Sequence, residues 1–222
     1  VGLYLSQNNR LFSVNPSTGG VISNIGALSS NRVSDLVMRS DGVLFGYSGV
    51  DATTTTAGLL SVIDPSTGGM TNVGNDTIPD ATVTTDVVGA VAFKRNDVSK
   101  YDLFYAVNDP ANNRSILFQA DPASGSAAAD TNNPQFGQKG GITGAGITGF
   151  TTGLAFLNGT LYGVSSGGQF FTVNTTTGAA QLISNLGASF SGLALGPQNA
   201  GNGAYANLLF AVDTNGTLRA LN

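Results

Sequence analysis

The sequence predicts an all-β fold: a β-propeller of four-stranded antiparallel blades with incomplete terminal blades. Three observations carry the prediction. The composition favours strands and turns, one turn motif recurs four times, and the short apolar runs around it recur in a fixed order. A unit of roughly 40–50 residues holding four short strands is the sequence mark of a propeller blade.

Charged residues make up 10% of the 222-residue chain, against roughly 25% in an ordinary soluble domain. The acidic side is all Asp, and Lys94, Lys100 and Lys139 are the lysines. With Thr, Ser, Asn and Gly abundant, strands and turns are favoured over helices. There is no Cys and no His. That excludes disulfides, thiolate metal sites and the usual general base near neutral pH. A net charge of −4 argues against a nucleic-acid partner, which needs a basic patch. No apolar run reaches the roughly 18–20 residues of a membrane span. The start at Val1 does not read as a signal peptide, so export would use a leader outside these residues. The whole chain, 1–222, reads as a single propeller domain.

The recurrent turn is Asn15-Pro16-Ser17-Thr18-Gly19, then Asp64-Pro65-Ser66-Thr67-Gly68, Asp121-Pro122-Ala123-Ser124-Gly125 and Asn174-Thr175-Thr176-Thr177-Gly178. Asn or Asp caps the turn through its side chain, Pro presets φ, and Gly supplies a positive φ. Ahead of each turn lies an apolar run, at 11–14, 59–63, 116–120 and 170–173. These are third strands, followed after the turn by fourth strands such as 21–25. First strands are expected at 33–38, 87–93, 153–156 and 192–195; their small residues suit a crowded axis. Second strands are expected at 43–47, 103–107, 161–164 and 208–212, after turns such as Ser40-Asp41-Gly42 and Leu157-Asn158-Gly159. An antiparallel sandwich of hairpins is the alternative architecture, but it does not explain the ordered repetition.

The way the repeat is cut matters most. Residues 2–6 and 10–14 align with second and third strands, so the chain enters without a first strand. Residues 208–212 and 217–221 end it on a third strand. Three complete blades between two incomplete ones give five. A four-blade ring is the alternative, with the last first strand completing the N-terminal blade. Either way some edge lacks a partner, and unpaired edges are templates for another chain. The expected assembly residues are Leu3, Tyr4 and Leu5 at one end, and Leu208, Leu209, Phe210, Leu218 and Leu221 at the other.

Long polar insertions lie at 49–57, 75–85 and 130–149; loops of this length are usually functional, interactive or disordered. The 140–149 stretch, with Ile142 and Ile147, reads as an added strand or a packing surface. The Asp residues are the candidates for a structural Ca²⁺: Asp76, Asp80 and Asp86, or Asp97 with Asp102, or Asp109 with Asn112. None has the EF-hand spacing, turn capping explains most of them, and no other cofactor is expected. For catalysis, Ser and Thr lack an adjacent base. Asp35 and Asp86 lie close to inner strands, but no Asp pair is marked for glycosidase-type chemistry. The expectation is no enzyme. Glycosylation triplets at Asn75, Asn113, Asn158, Asn174 and Asn215 arise readily in a Thr- and Asn-rich chain. The strand aromatics are expected in the core between blades.

The series Gly153-Leu154-Ala155-Phe156, Leu161-Tyr162-Gly163-Val164 and Phe171-Thr172-Val173-Asn174, closing at Thr177-Gly178, resembles the blades of secreted bacterial and archaeal β-propeller repeat proteins of the cell-surface type. The likeness runs along nearly the whole chain, most closely at 150–197 and least at 76–150. It implies an extracellular or cell-surface location and a non-enzymatic role. The partners it implies are copies of the chain itself, other surface proteins or glycans. Together with the strand count, it leads to a structural or adhesive module that self-associates through its unpaired terminal strands, as in a surface filament. The alternative is a monomeric ligand- or glycan-binding propeller using its loop face.

Overall fold

A computed structural model describes residues 2–28, 33–48, 58–78, 88–94, 103–129 and 134–222. Among these residues, eighteen strands form five antiparallel sheets arranged as the blades of a propeller. Blade one is β1 (Leu3–Gln7), β2 (Arg10–Val14) and β3 (Val21–Ala27). Blade two is β4 (Val33–Met38), β5 (Leu44–Ser48), β6 (Leu59–Ile63) and β7 (Met70–Asn75). Blade three is β8 (Val88–Phe93), β9 (Leu103–Asp109), β10 (Arg114–Ala120) and β11 (Gly137–Ile142). Blade four is β12 (Thr151–Leu157), β13 (Thr160–Ser165), β14 (Gln169–Val173) and β15 (Ala180–Asn185). Blade five is β16 (Phe190–Leu195), β17 (Leu209–Asp213) and β18 (Leu218–Leu221). Each sheet pairs its strands in sequence order, as hairpins joined edge to edge. The five-blade count therefore holds and the four-blade alternative does not: β16 pairs with β17 in its own sheet and does not complete blade one.

The recurrent turn forms by the chemistry expected of it. Asn15, Asp64, Asp121 and Asn174 each accept, on Oδ1, the backbone N–H two residues on, at 2.8, 2.8, 2.9 and 2.9 Å. Gly19, Gly68, Gly125 and Gly178 sit at φ of 71°, 80°, 74° and 76°, where a Cβ would be strained. Each turn then packs on the blade before it. A Cβ on Gly26 would lie 1.9 Å from the Thr67 carbonyl oxygen, on Gly74 2.1 Å from that of Ser124, and on Gly140 2.2 Å from that of Thr177. Outer-strand glycines let the next blade's turn close down on the sheet edge.

The core lies in the seams between blades. Leu11, Leu28, Leu44 and Ile63 fill the first seam. Phe45 meets Phe93 at 4.9 Å, and Tyr47 meets Tyr105 at 4.8 Å, both with tilted rings, in the second. Phe104 meets Phe156 at 5.6 Å in the third, and Val164, Phe170 and Phe190 occupy the fourth. The strand aromatics thus pack between blades, as expected. The last seam joins blade five to blade one through Leu3, Val14 and Phe210, with Leu5, Leu208 and Leu218 against them. Packing, not a shared sheet, holds these two blades together. The 140–149 stretch begins inside β11, the fourth strand of blade three. The insertions at 49–57 and 79–85 lie outside the described residues.

Candidate functional site

The inner strands β4, β8, β12 and β16 follow one another around the axis, and β16 also reaches β4. Among the described residues blade one contributes no inner strand. Its innermost strand is β1, whose far edge pairs with no other strand among the described residues. Beside that edge lies a groove of about 580 Å³. Its walls are β1, then Val33–Leu36 of β4, Ser191–Ala194 of β16, and Phe210, Val212, Asp213 and Leu218 of blade five. Neither β8 nor β12 lines it. The groove occupies the place where a fifth inner strand would run.

The edge is set by the β1–β2 hairpin. Asn8 and Asn9, at φ of 50° and 58°, form its two-residue turn, and Gln7 faces Arg10 across it. In such hairpins the closing pair exchanges backbone hydrogen bonds and alternate pairs follow. Gln7, Leu5 and Leu3 therefore bond to β2, and Tyr4 and Ser6 turn their N–H and C=O groups to the groove. Blade four provides a check, because Leu3 faces Val14 as Leu161 faces Val173. Tyr162 and Val164, which match Tyr4 and Ser6, stand opposite Ala155 and Gly153 of the inner strand β12. At the other end, Asp213 N–H donates to the Thr217 carbonyl at 3.0 Å. By the same alternation, Leu218 and Ala220 present their backbone groups to the outer side of β18, where blade five has no fourth strand among the described residues.

Two carboxylates line the groove, and both are occupied. Asp35 accepts Val91 N–H at 2.8 Å and Leu36 N–H at 2.9 Å; burial nonetheless pushes its pKa well above the ordinary carboxylate value. Asp213 accepts Thr217 N–H at 2.9 Å and Asn215 N–H at 3.0 Å, and pairs with Arg219 at 3.0 Å. The Thr217 bond, followed by Arg219, holds its pKa below the ordinary value. Neither has a nucleophile or a second acid within its hydrogen-bonded shell.

The eight residues expected from the sequence separate into different places. Leu3, Leu5, Leu208, Phe210 and Leu218 gather in the seam between blades five and one, with Leu3 and Phe210 buried. Tyr4 packs on the seam between blades one and two, and Leu209 and Leu221 on that between four and five. The side chains at the two ends are thus largely core, and what stays open is backbone edge. That distinction was missed by sequence reasoning, although the alternation along β1 carries it. Of the Ca²⁺ candidates, Asp76 is buried and takes the Tyr47 hydroxyl. Asp109 caps the 3-10 turn Pro110–Asn112, accepts the Asn112 side chain at 2.8 Å and pairs with Arg114 at 3.1 Å. Asp80, Asp86, Asp97 and Asp102 lie outside the described residues. Among the described residues no group of three or more Asp gathers as a metal site.

No family model matches the sequence, and no curated protein does. Solved structures do. The calcium-binding protein regucalcin from Agrobacterium tumefaciens aligns over 94% of this chain at a TM-score of 0.50 and 15% identity. The WD40 β-propeller domain of Doa1 aligns over 99% of it, also at 0.50, with 13% identity. The fold is a β-propeller. At these identities the likeness extends to the fold alone. This propeller spans 63% of the regucalcin chain and 62% of the Doa1 chain.

Proposed function

We propose that this propeller is a non-enzymatic structural or adhesive module of the cell surface, which joins copies of itself through the open strand edges of its terminal blades. The observation that carries the reading is that, among the described residues, blades one and five are both three-stranded, leaving the inner edge of β1 and the outer edge of β18 without a strand. Open edges recruit further strands unless charge, proline or a covering element blunts them. Here the blunting is slight. β1 has no charged residue and no proline, and the one charge of β18, Arg219, is paired with Asp213; the outer strand of blade one, β3, exposes Val21 at 60% and Ile22 at 61%. A chain with 10% charged residues opposes close packing of copies only weakly.

Electron microscopy and light scattering over a concentration series test the reading, with Ala220→Pro as the blocking variant. Proline is tolerated where the N–H faces away from the sheet, so this change removes an outward donor of β18 and no ladder bond. Ordered oligomers or filaments are expected from the wild type and their loss from the variant, with the unfolding temperature little changed. A wild type that stays monomeric at every concentration overturns the reading.

A further inference from the structure

We infer that the groove beside β1 is a strand-addition site, and that its occupant is an uncharged extended segment of another polypeptide, running antiparallel to β1. The inference rests on the reading of β1 as a working edge, but not on copies of the chain assembling.

The propeller itself shows four times what such a slot holds. Leu3 of β1 corresponds to Leu44, Leu103, Leu161 and Leu209, each on the second strand of a blade that has its inner strand. Their inner-strand partners are Met38, Phe93, Phe156 and Leu195. One step on, Tyr4 corresponds to Phe45, Phe104, Tyr162 and Phe210, which face Val37, Ala92, Ala155 and Ala194. Leu5 corresponds to positions that face Leu36, Val91, Leu154 and Leu193, and Ser6 to positions that face Asp35, Ala90, Gly153 and Gly192. In three of the four blades the strand in this slot reads, in its own direction, small, aliphatic, small, then large and apolar; β4 departs with Asp35 and Val37 at the two small positions. Gly-Leu-Ala-Phe is the form found in β12.

Each demand of that pattern has a physical source in the groove. The large residue would lie over Leu3, next to Val14 and Phe210 in the seam. The small residue opposite Tyr4 keeps the backbones close enough for Tyr4 to exchange both hydrogen bonds. The small residue opposite Ser6 points toward the crowded side, where β4 and β16 converge. Acidic residues are disfavoured, because Asp35 and Asp213 already line the groove. A strand matching the five residues of β1 would span about 16 Å at the usual rise. Affinity would come from main-chain bonds to Tyr4 and Ser6, and selectivity from the alternating side chains, as in other strand-addition sites.

The probe is a capped synthetic peptide copying residues 151–157, Thr-Thr-Gly-Leu-Ala-Phe-Leu, added to the intact protein. Saturable binding by fluorescence anisotropy is expected, together with slowed hydrogen exchange at the Tyr4 and Ser6 amides. The peptide carrying Ala155→Pro loses its donor opposite Tyr4 and should bind about tenfold more weakly. Ser6→Pro in the protein removes an outward donor without touching the β1–β2 ladder and should weaken the parent peptide similarly. If that variant fails to fold, the proline peptide tests the same edge through the neighbouring bond at Tyr4. Absence of binding, equal binding by the proline peptide, or unchanged exchange at Tyr4 and Ser6 overturns the inference. Peptide binding by a protein that never self-associates would leave the slot standing and remove the assembly reading. Assembly that Ala220→Pro abolishes, without peptide binding, would do the reverse.

Discussion

At the scale of single residues, the two carboxylates of the groove behave oppositely toward pH, and the signs follow from their surroundings. Asp35 sits on an inner strand with its charge taken out of water, so its pKa in the folded protein is raised. Its contribution to stability is full below the unfolded value near 3.9 and is lost as pH rises through the raised folded value. Asp213 and Asp109 have lowered values, set mainly by the Thr217 backbone bond in one case and the Asn112 side chain in the other. Their contributions are full above about 3.9 and vanish as pH falls through the folded values. Asp35→Asn should therefore flatten the decline in stability on the alkaline side of pH 4 and leave the acid limb in place. The substitution also gives one of the Val91 and Leu36 N–H groups an amide NH₂ to face, an unsatisfied donor that costs about 1–3 kcal/mol. Urea unfolding from pH 3 to pH 9 reads both effects. A variant with the wild-type slope above pH 4 would refute the assignment to Asp35.

At the scale of elements, the recurring device is a turn from one blade seated on an outer-strand glycine of the blade before. Gly74 lies in β7, and its missing Cβ leaves room for the Ser124 carbonyl. Gly74→Ala should force the blade-three turn outward and cost about 1–3 kcal/mol, the usual range for overpacking. Gly187, at φ 71° with nothing within 4 Å of its would-be Cβ, is the contrast. Gly187→Ala meets only the backbone penalty of a left-handed residue, about 1–2 kcal/mol. Urea midpoints of the two variants, compared at constant slope, check the ordering, and the larger loss at Gly187 would contradict it. Much of this level was legible in the sequence. The Asn15, Asp64, Asp121 and Asn174 turns are local chemistry, and the runs beside them alternate strongly enough to place most strands within a residue or two. The fourth strand of blade three was harder. Gly137-Gln138-Lys139-Gly140-Gly141-Ile142 has almost no strand propensity and is a strand because β10 offers it an edge. The glycine seats were invisible for another reason: Gly26 and Thr67 are neighbours only once two blades are side by side. The open edge at β1 was legible as a missing repeat unit, but the core role of Leu3 and Phe210 was not, because it depends on how the ring closes.

At the scale of the whole molecule, the ring has one seam unlike the rest. From blade two to blade five successive inner strands lie side by side, and the outer strands of blades one, two and three receive the next blade's turn. Between blades five and one there is, among the described residues, no inner strand on one side and no outer strand on the other. Gly19 of the blade-one turn meets the Leu218 side chain instead, at 3.4 Å from its would-be Cβ. Closure there depends on a small cluster with Phe210 at its centre, buried against Leu3 and Val14, with Tyr205 at 5.9 Å. Removing an aromatic ring from a core costs about 3–5 kcal/mol, and among the described residues no shared sheet joins the blades at this seam. Phe210→Ala should therefore open the ring locally. Amides of β1, β2 and β18 are expected to exchange much faster, and those of β12 to β14 to keep their protection, since local opening draws on the least supported contacts. Phe156→Ala, in a seam with both inner strands present, should instead lower protection across blades three and four together. If Phe210→Ala speeds exchange uniformly around the ring, closure at this seam is as cooperative as at the others. Addition of the β12-copy peptide to the wild type supplies the complementary measurement: a strand seated beside β1 would brace the same seam and slow exchange at β1 and β18 together.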